Sequence, residues 1–384
     1  MVTLESADNV LKQVYLEVIS NQLNTNANPL LTKISQTTQD VWGKEIVKVA
    51  PFGINGGVGA GDELSELPTS AGNNYVKFVS ELKNLYGKIE ISDKAIRASQ
   101  NSAGAFVNLL NAEMEGLIKA STFNFGRMLY GDGTGILATI SSVTTGVVAC
   151  DSVRNLIEGL VVDIYSEAKA VLVKGARIVS VDRTNKTFTC NKTLPETVTE
   201  KCFVTVQNSY GKELTGLGAI FGTGKLYGVD RSVNSWMTPY TKTSVGSISD
   251  AVIQTAIDYL DENMGSEVDF IVCSSDVKRL YQTYLNSYKR NVDIMELQGG
   301  FKAMTYNGIP VVSDRFVESG TMYLLNTKEF ALHQLCDWQW LAGEDGRILK
   351  QNAGYPTYSA TLVKYADLIC NKPAGQAKLS GINA

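Results

Sequence analysis

Between Ala103 and Gly135 the chain reads AGAFVNLLNAEMEGLIKASTFNFGRMLYGDGTG, and this stretch limits the architecture more than any other. Phe106, Leu109, Leu110, Met114, Leu117, Ile118, Phe125 and Leu129 recur at spacings of three and four, which marks one apolar stripe on an α-helix. Glu113, Glu115, Lys119 and Arg127 fall mostly between them. The far side of the helix is therefore expected to face water or a neighbouring subunit. Roughly 27 residues at ~1.5 Å each make a rod of about 40 Å, longer than most single-domain helices. Gly131, Asp132, Gly133, Thr134 and Gly135 then stop it, because glycine takes the left-handed conformations that end helices and Asp-Gly favours a tight turn.

Ahead of this helix lie two contrasting segments. Residues 6–24 (SADNVLKQVYLEVISNQLN) carry Val10, Leu11, Val14, Val18 and Ile19 on one face, with Ser6 or Asp8 able to cap. They predict an amphipathic helix that serves either as a core helix or as an arm docked on another subunit. VWGKEIVKVAPFG (41–53) reads as a strand. Residues 54–74 follow with almost nothing to bury, and a loop that long is functional or mobile when it occurs in a compact domain. The chain returns over 75–92, where Tyr75, Lys77, Val79 and Glu81 alternate with Val76, Phe78, Ser80 and Leu82. Two long strands joined by a glycine-rich tip predict an extended hairpin without a core of its own. An isolated ribbon is marginal in water, so the expected support is the surface of another copy. Val10, Val14, Tyr75, Lys77, Phe78 and Lys83 are the candidate inter-subunit contacts.

After the helix the texture changes. Residues 151–208 hold short β-rich runs, with 178–181 and 187–190 flanking a turn at Asp182–Lys186, and predict a small antiparallel barrel or sandwich. Residues 209–246, rich in glycine and aromatics, are expected to loop over a domain surface. ISDAVIQTAIDYLDENMG (248–265) predicts a helix capped by Ser249 or Asp250 and stopped by Gly265, VDFIVCSS (268–275) a buried strand, and 276–288 a second helix. A strand pair follows around Gly308–Asp314 and Gly320–Tyr323, which makes a mixed α/β layer. Residues 357–382 alternate as a long strand ended by Pro373.

The totals exclude several function classes. At 384 residues the chain suggests two or three domains. Its net charge of −4 and evenly spread 19% of charged residues oppose a tight nucleic-acid binder, which needs clustered Lys and Arg. Met1–Leu11 lacks the basic start and apolar core of a secretory signal. No apolar run reaches the length of about 18 residues that a membrane span needs. Six scattered cysteines without a C-x-x-C pair read as reduced thiols. The single histidine, His333, leaves no zinc set and reads as a packed side chain beside Leu332. A phosphate loop fails near Gly224 and Lys225, because Leu226 stands where Ser or Thr should hold magnesium. Asp132 reads as a turn former rather than a cation ligand. The sequence therefore predicts no catalytic set, metal or cofactor.

The order arm, hairpin, long helix and GDGTG resembles the tailed-bacteriophage major capsid proteins of the HK97-like fold. In these proteins a "spine" helix commonly closes with Asn-Gly-Asp-Gly-Thr-Gly. Here Tyr130 replaces the Asn, and Ile136-Leu137-Ala138 replaces the usual Pro-Leu-Gly. Gly308-Ile309-Pro310-Val311-Val312-Ser313-Asp314, with Gly320 and Thr321 following, is similar to the Gly-x-Pro-Val-x-x-Ser/Asp … Gly-Thr segment of their axial domain. The resemblance implies an α+β chain with an N-terminal arm (1–45) and an extended β-hairpin, the E-loop (46–92). It implies a peripheral domain on the spine helix (93–140 and 346–372), an α/β axial domain (141–150, 207–345 and 373–384) and an all-β insertion (151–206). It also implies a non-enzymatic subunit that self-assembles into hexamers and pentamers of an icosahedral or elongated phage head around double-stranded DNA. Its expected partners are copies of itself, a separate scaffolding protein, a portal, a maturation protease or decoration proteins, and packaged DNA through weak non-specific contact, with no membrane. Its expected location is the virion, assembled in the bacterial cytoplasm. An encapsulin-type compartment is the alternative on the same fold, and an enzyme with an unrecognised site the remote one. Some relatives join a hairpin Lys to a neighbour's Asn, for which Lys77 and Lys83 are candidates here.

Overall fold

A computed structural model of the chain describes residues 28–94, 103–144, 146–288, 294–296, 302–343 and 346–383. The amphipathic helix expected over residues 6–24, with Val10 and Val14, lies outside the described residues. The first described stretch is pinned to the long helix, since the Asn28 side-chain amide donates to the Gly126 carbonyl at 3.0 Å. Strands β1 (Ser35–Thr37), β2 (Val41–Trp42), β3 (Glu45–Phe52), β4 (Asn74–Glu81) and β5 (Lys83–Ser92) follow, then helix α1 (Ala103–Met128). In α1 the inward positions Met114, Ile118 and Phe125 are buried while Glu113, Glu115 and Lys119 are exposed, as the period requires. Gly131 N–H donates back to the Met128 carbonyl at 3.0 Å. Gly133 and Gly135 then take φ of 83° and 78°, where a side chain would strain the backbone. Asp132 Oδ1 accepts from Thr134 N–H at 2.9 Å. Asp132 thus acts as the turn former expected of it.

Directly after that turn a closed barrel forms from β6 (Ile136–Thr144), β7 (Val147–Cys150), β8 (Val161–Tyr165), β9 (Val171–Asp182), β10 (Thr187–Cys190) and β11 (Phe203–Val206), in the order β10-β7-β6-β11-β8-β9. Val148, Val162, Ile164, Ala176, Phe188 and Val204 fill its interior. The barrel therefore begins at Ile136, ahead of the expected start at 151. The two strands before 151 are needed because closure alone removes the unpaired edges of a small sheet.

The remaining elements are α2 (Leu217–Ile220), β12 (Tyr240–Lys242), α3 (Asp250–Met264), β13 (Phe270–Cys273), α4 (Ser275–Tyr288), β14 (Ile294–Glu296), β15 (Lys302–Tyr306), β16 (Ile309–Ser313), β17 (Met322–Leu325), β18 (Phe330–Trp340), β19 (Lys350–Gln351), β20 (Thr357–Cys370) and β21 (Ala377–Leu379). Ser249 caps α3 and Gly265 ends it with φ 53°, as predicted. Seven strands form one sheet in the order β12-β21-β17-β13-β16-β15-β14. The two-residue period divides its faces. Ile271, Cys273, Val311, Met322 and Leu324 pack with α3 and α4, while Phe270, Val272, Val312, Tyr323 and Leu325 join the main core.

The main core lies between α1 and a second sheet centred on β20. β20 pairs antiparallel with β5 on one side, Thr357↔Ser92 to Ala366↔Lys83, and with β18 on the other, Phe330↔Cys370 to Trp340↔Leu362. Gly87 in β5 admits the helix closely, since a Cβ there would stand 2.8 Å from Leu117 Cδ1. Trp338 and Trp340, which sequence alone leaves open between core and interface, are buried here. Trp338 meets Phe125 edge-on at 5.8 Å. β18 thus belongs with α1 and not with the α/β layer. The long C-terminal strand ends at Cys370, and β21 crosses to the seven-stranded sheet.

Candidate assembly surfaces

The hairpin is real, but it is seated on its own chain. β3 and β4 pair from Glu45↔Glu81 to Phe52↔Asn74, with β2 added at one edge. One face turns inward, burying Ile46, Ala50 and Phe78. Phe78 lies 5.6 Å from the Tyr227 ring, Phe52 stacks on Trp236 at 4.7 Å, and Val79 N–H donates to the Tyr227 carbonyl at 3.0 Å. The ribbon expected to lack a core of its own therefore has one, and Phe78 is not free to touch a neighbour. The seat is the segment 209–246, expected to be a surface loop. Its Leu214, Leu217, Ile220 and Met237 are fully buried. Glycine hides this role in the sequence. Gly216 and Gly218 let the backbone run against the end of α1, where Leu217 N–H donates to the Leu129 carbonyl at 2.8 Å and Gly218 N–H to the Tyr130 carbonyl at 3.2 Å. Those carbonyls lie just past the last helical residue, where the backbone has no intrahelical partner.

The return run also splits. It breaks at Leu82, where β4 leaves the hairpin and β5 enters the central sheet. Lys83 is thus half-buried at the hairpin root, whereas Tyr75 and Lys77 are exposed on the outward face with Val49 and Trp42. The tip, residues 53–73, has no cover among the described residues. Ile54, Val58, Leu64 and Leu67 there are 86–98% exposed. Fully covering four such side chains is worth about 6–12 kcal/mol before ordering costs.

Inside, three polar contacts tie the elements together. Arg127, expected on the polar side of α1, is buried and makes a two-pronged pair with Glu213, Nη1 to Oε2 at 2.9 Å and Nη2 to Oε1 at 2.6 Å. The apolar run around it, FNFGRML, signals that the last turns of the helix are buried on all sides. Tyr130 Oη donates to Asp314 Oδ2 at 3.1 Å, so the two motifs GDGTG and GIPVVSD meet. Burial pushes the Asp314 carboxyl up to about 6, against the donation from Phe316 N–H. Asp367, wholly buried in β20, accepts from Ser80 Oγ at 2.6 Å, Thr215 N–H at 2.7 Å and Thr215 Oγ1 at 2.8 Å. This carboxylate joins the hairpin, the segment leaving the barrel and the central sheet, and no spacing rule could have found it.

No family model matches the sequence, and no curated protein matches it. Solved structures do match. The chain is similar to one in the cyanophage A-1(L) capsid asymmetric unit, with 12% identity and a TM-score of 0.56 over 98% of this chain and 96% of that one. A chain of Mycobacterium phage Bobi covers 100% and 99% at 7% identity and a TM-score of 0.46. One of the holo encapsulin complex of Synechococcus elongatus PCC 7942 covers 93% and 89% at 10% identity and a TM-score of 0.45. Of these three, the cyanophage likeness is close enough to bear weight, and at its identity it speaks for the fold. With the long helix, hairpin, β20-centred sheet and seven-stranded α/β layer in place, the chain has the same fold as that cyanophage capsid chain, the HK97-like fold expected from the sequence.

Proposed function

We propose that the protein is the structural subunit of a phage head, assembling into hexamers and pentamers that close around double-stranded DNA. The observation that carries the reading is the end-to-end likeness to the cyanophage capsid chain, 98% of this chain against 96% of that one. The uncovered apolar tip fits it. Each subunit offers several modest contacts, and closure makes their sum large although each alone is weak. The tip and the outward face with Tyr75 and Lys77 would lap a neighbour, and the arm with Val10 and Val14 would dock on another. A separate scaffolding protein, a portal and a protease or decoration proteins would complete the particle. Packaged DNA would meet a surface of low net charge that does not hold it tightly.

The test is expression of the full chain, with and without a scaffolding gene, followed by electron microscopy and sedimentation. Uniform shells are expected, and replacing Leu64 and Leu67 by serine should lower shell yield at least tenfold while leaving the subunit's melting temperature unchanged. Protein that stays monomeric at high concentration with scaffolding present would refute the proposal. Particles from infected cells that hold protein cargo instead of nuclease-protected DNA would favour an encapsulin-type compartment.

A further inference from the structure

The two roots of the hairpin are each held by an ionisable side chain, and those two side chains lie directly opposite one another. His333 in β18 pairs with Asp367 in β20. His333 Nδ1 lies 2.8 Å from the carbonyl of Gln39, in the turn just before β2. Asp367 accepts from Ser80 Oγ near the end of β4. Both are buried, at 1% and 0% exposure, whereas Gln39 stands at the surface. Since a carbonyl can only accept, His333 Nδ1 must carry the hydrogen in this contact, which leaves Nε2 as the acceptor of the neutral ring. That Nε2 is buried with no hydrogen-bond partner among the described residues. A second proton on the ring would have to go there, creating a buried cation and a donor with nothing to bond.

We propose that His333 and Asp367 form an acid-sensitive seat for the hairpin, closed while the His333 ring is neutral and loosened when it takes up a proton. This inference concerns the single chain and stands apart from the shell reading. The charged groups facing the pair set its sign. Lys48 from β3 opposes a cation at His333, while Asp40 from the turn and Asp367 itself favour one. Burial outweighs the Gln39 carbonyl and the two carboxylates, all of which favour the protonated ring, and holds the ring below the usual imidazole range. The seated state is then favoured above that range and loses its advantage as pH falls through the lowered value. Asp367 is faced by Lys83, by Tyr227 and by the Ser80 and Thr215 donors. Burial raises its carboxyl, so acid favours the seated state at this residue, the opposite sense. Loosening on acidification therefore reports the histidine.

Hydrogen–deuterium exchange of the full-length chain, corrected for the intrinsic pH dependence of exchange, tests this from about pH 7.5 to about pH 4.5. Protection of peptides covering 38–48 and 76–82 should fall by about tenfold for each pH unit between the ordinary imidazole value and the lowered one. H333N, which keeps an amide donor in place of Nδ1, should lose that response. K48Q, at a partly exposed position, should move its midpoint to higher pH, and D40N to lower pH. Unchanged protection in the wild type, an equal acid response in H333N, or K48Q and D40N that leave the midpoint in place would each overturn the proposal. The two surface variants decide the matter if H333N fails to fold.

Discussion

Replacing Glu213 by alanine removes half of the buried ion pair that ties the end of α1 to the segment leaving the barrel. Both side chains are 3–4% exposed, and the pairing is two-pronged at 2.6 and 2.9 Å. Arg127 Nε already lacks a partner among the described residues, so in E213A the guanidinium would be left as an uncompensated buried charge. Breaking such a pair costs about 3–5 kcal/mol. At ~2.1 cal/mol/K of unfolding entropy per residue, a chain of this size carries about 0.8 kcal/mol/K, and the melting temperature should fall by about 4–6 °C if it unfolds as one unit. Differential scanning calorimetry of the soluble subunit reads this directly. The double variant R127M/E213L removes both charges together and should recover most of the loss, because the desolvation of both ions disappears with them. A shift below about 1 °C in E213A, or a double variant no better than the single one, would refute the assignment of this pair as the tie between helix and barrel exit.

Two further outcomes follow from the packing and the electrostatics. In G216A the new Cβ would press on the carbonyls of Met128, Leu129 and Gly131, which are fixed backbone, whereas in G87A it would meet the movable end of Leu117. Thermal melts should therefore show G216A as much the more damaging, beyond the 1–3 kcal/mol usual for overpacking, and equal losses would contradict the close-approach argument. The raised carboxyl of Asp314, at about 6, means that its protonated form is favoured by the fold, so its contribution is complete below about pH 3.8 and lost as pH rises through about 6. D314N should accordingly gain melting temperature relative to wild type at pH 8 compared with pH 5, and a pH-independent difference would exclude Asp314 as the titrating group.

Periodicity made the long helix, its GDGTG stop, the caps of α3 and the β-rich character of the barrel legible, because each depends on neighbours within a few residues. Phe78 and Arg127 depart from the expected faces for a common reason. Alternation assigns a side chain to one of two faces and cannot say which face will be covered. The cover for Phe78 comes from Tyr227, some 150 residues away in the chain, and the partner of Arg127 comes from Glu213, beyond the whole barrel. The segment 209–246 differs from a surface loop because its glycines serve for close backbone approach. His333 is a packed side chain, as its apolar neighbours imply, whereas its link to Gln39 and its opposition to Asp367 have no local signature.

What this chain's sequence determined alone was a set of elements in a fixed order, because backbone sterics, caps and apolar spacing act over one or two turns. The tertiary structure alone decided which faces became core, where the barrel closed, and that the ribbon rests on its own body while its tip stays bare. Those outcomes depend on contacts between residues far apart in the chain, whose free energies exist only once the segments have met.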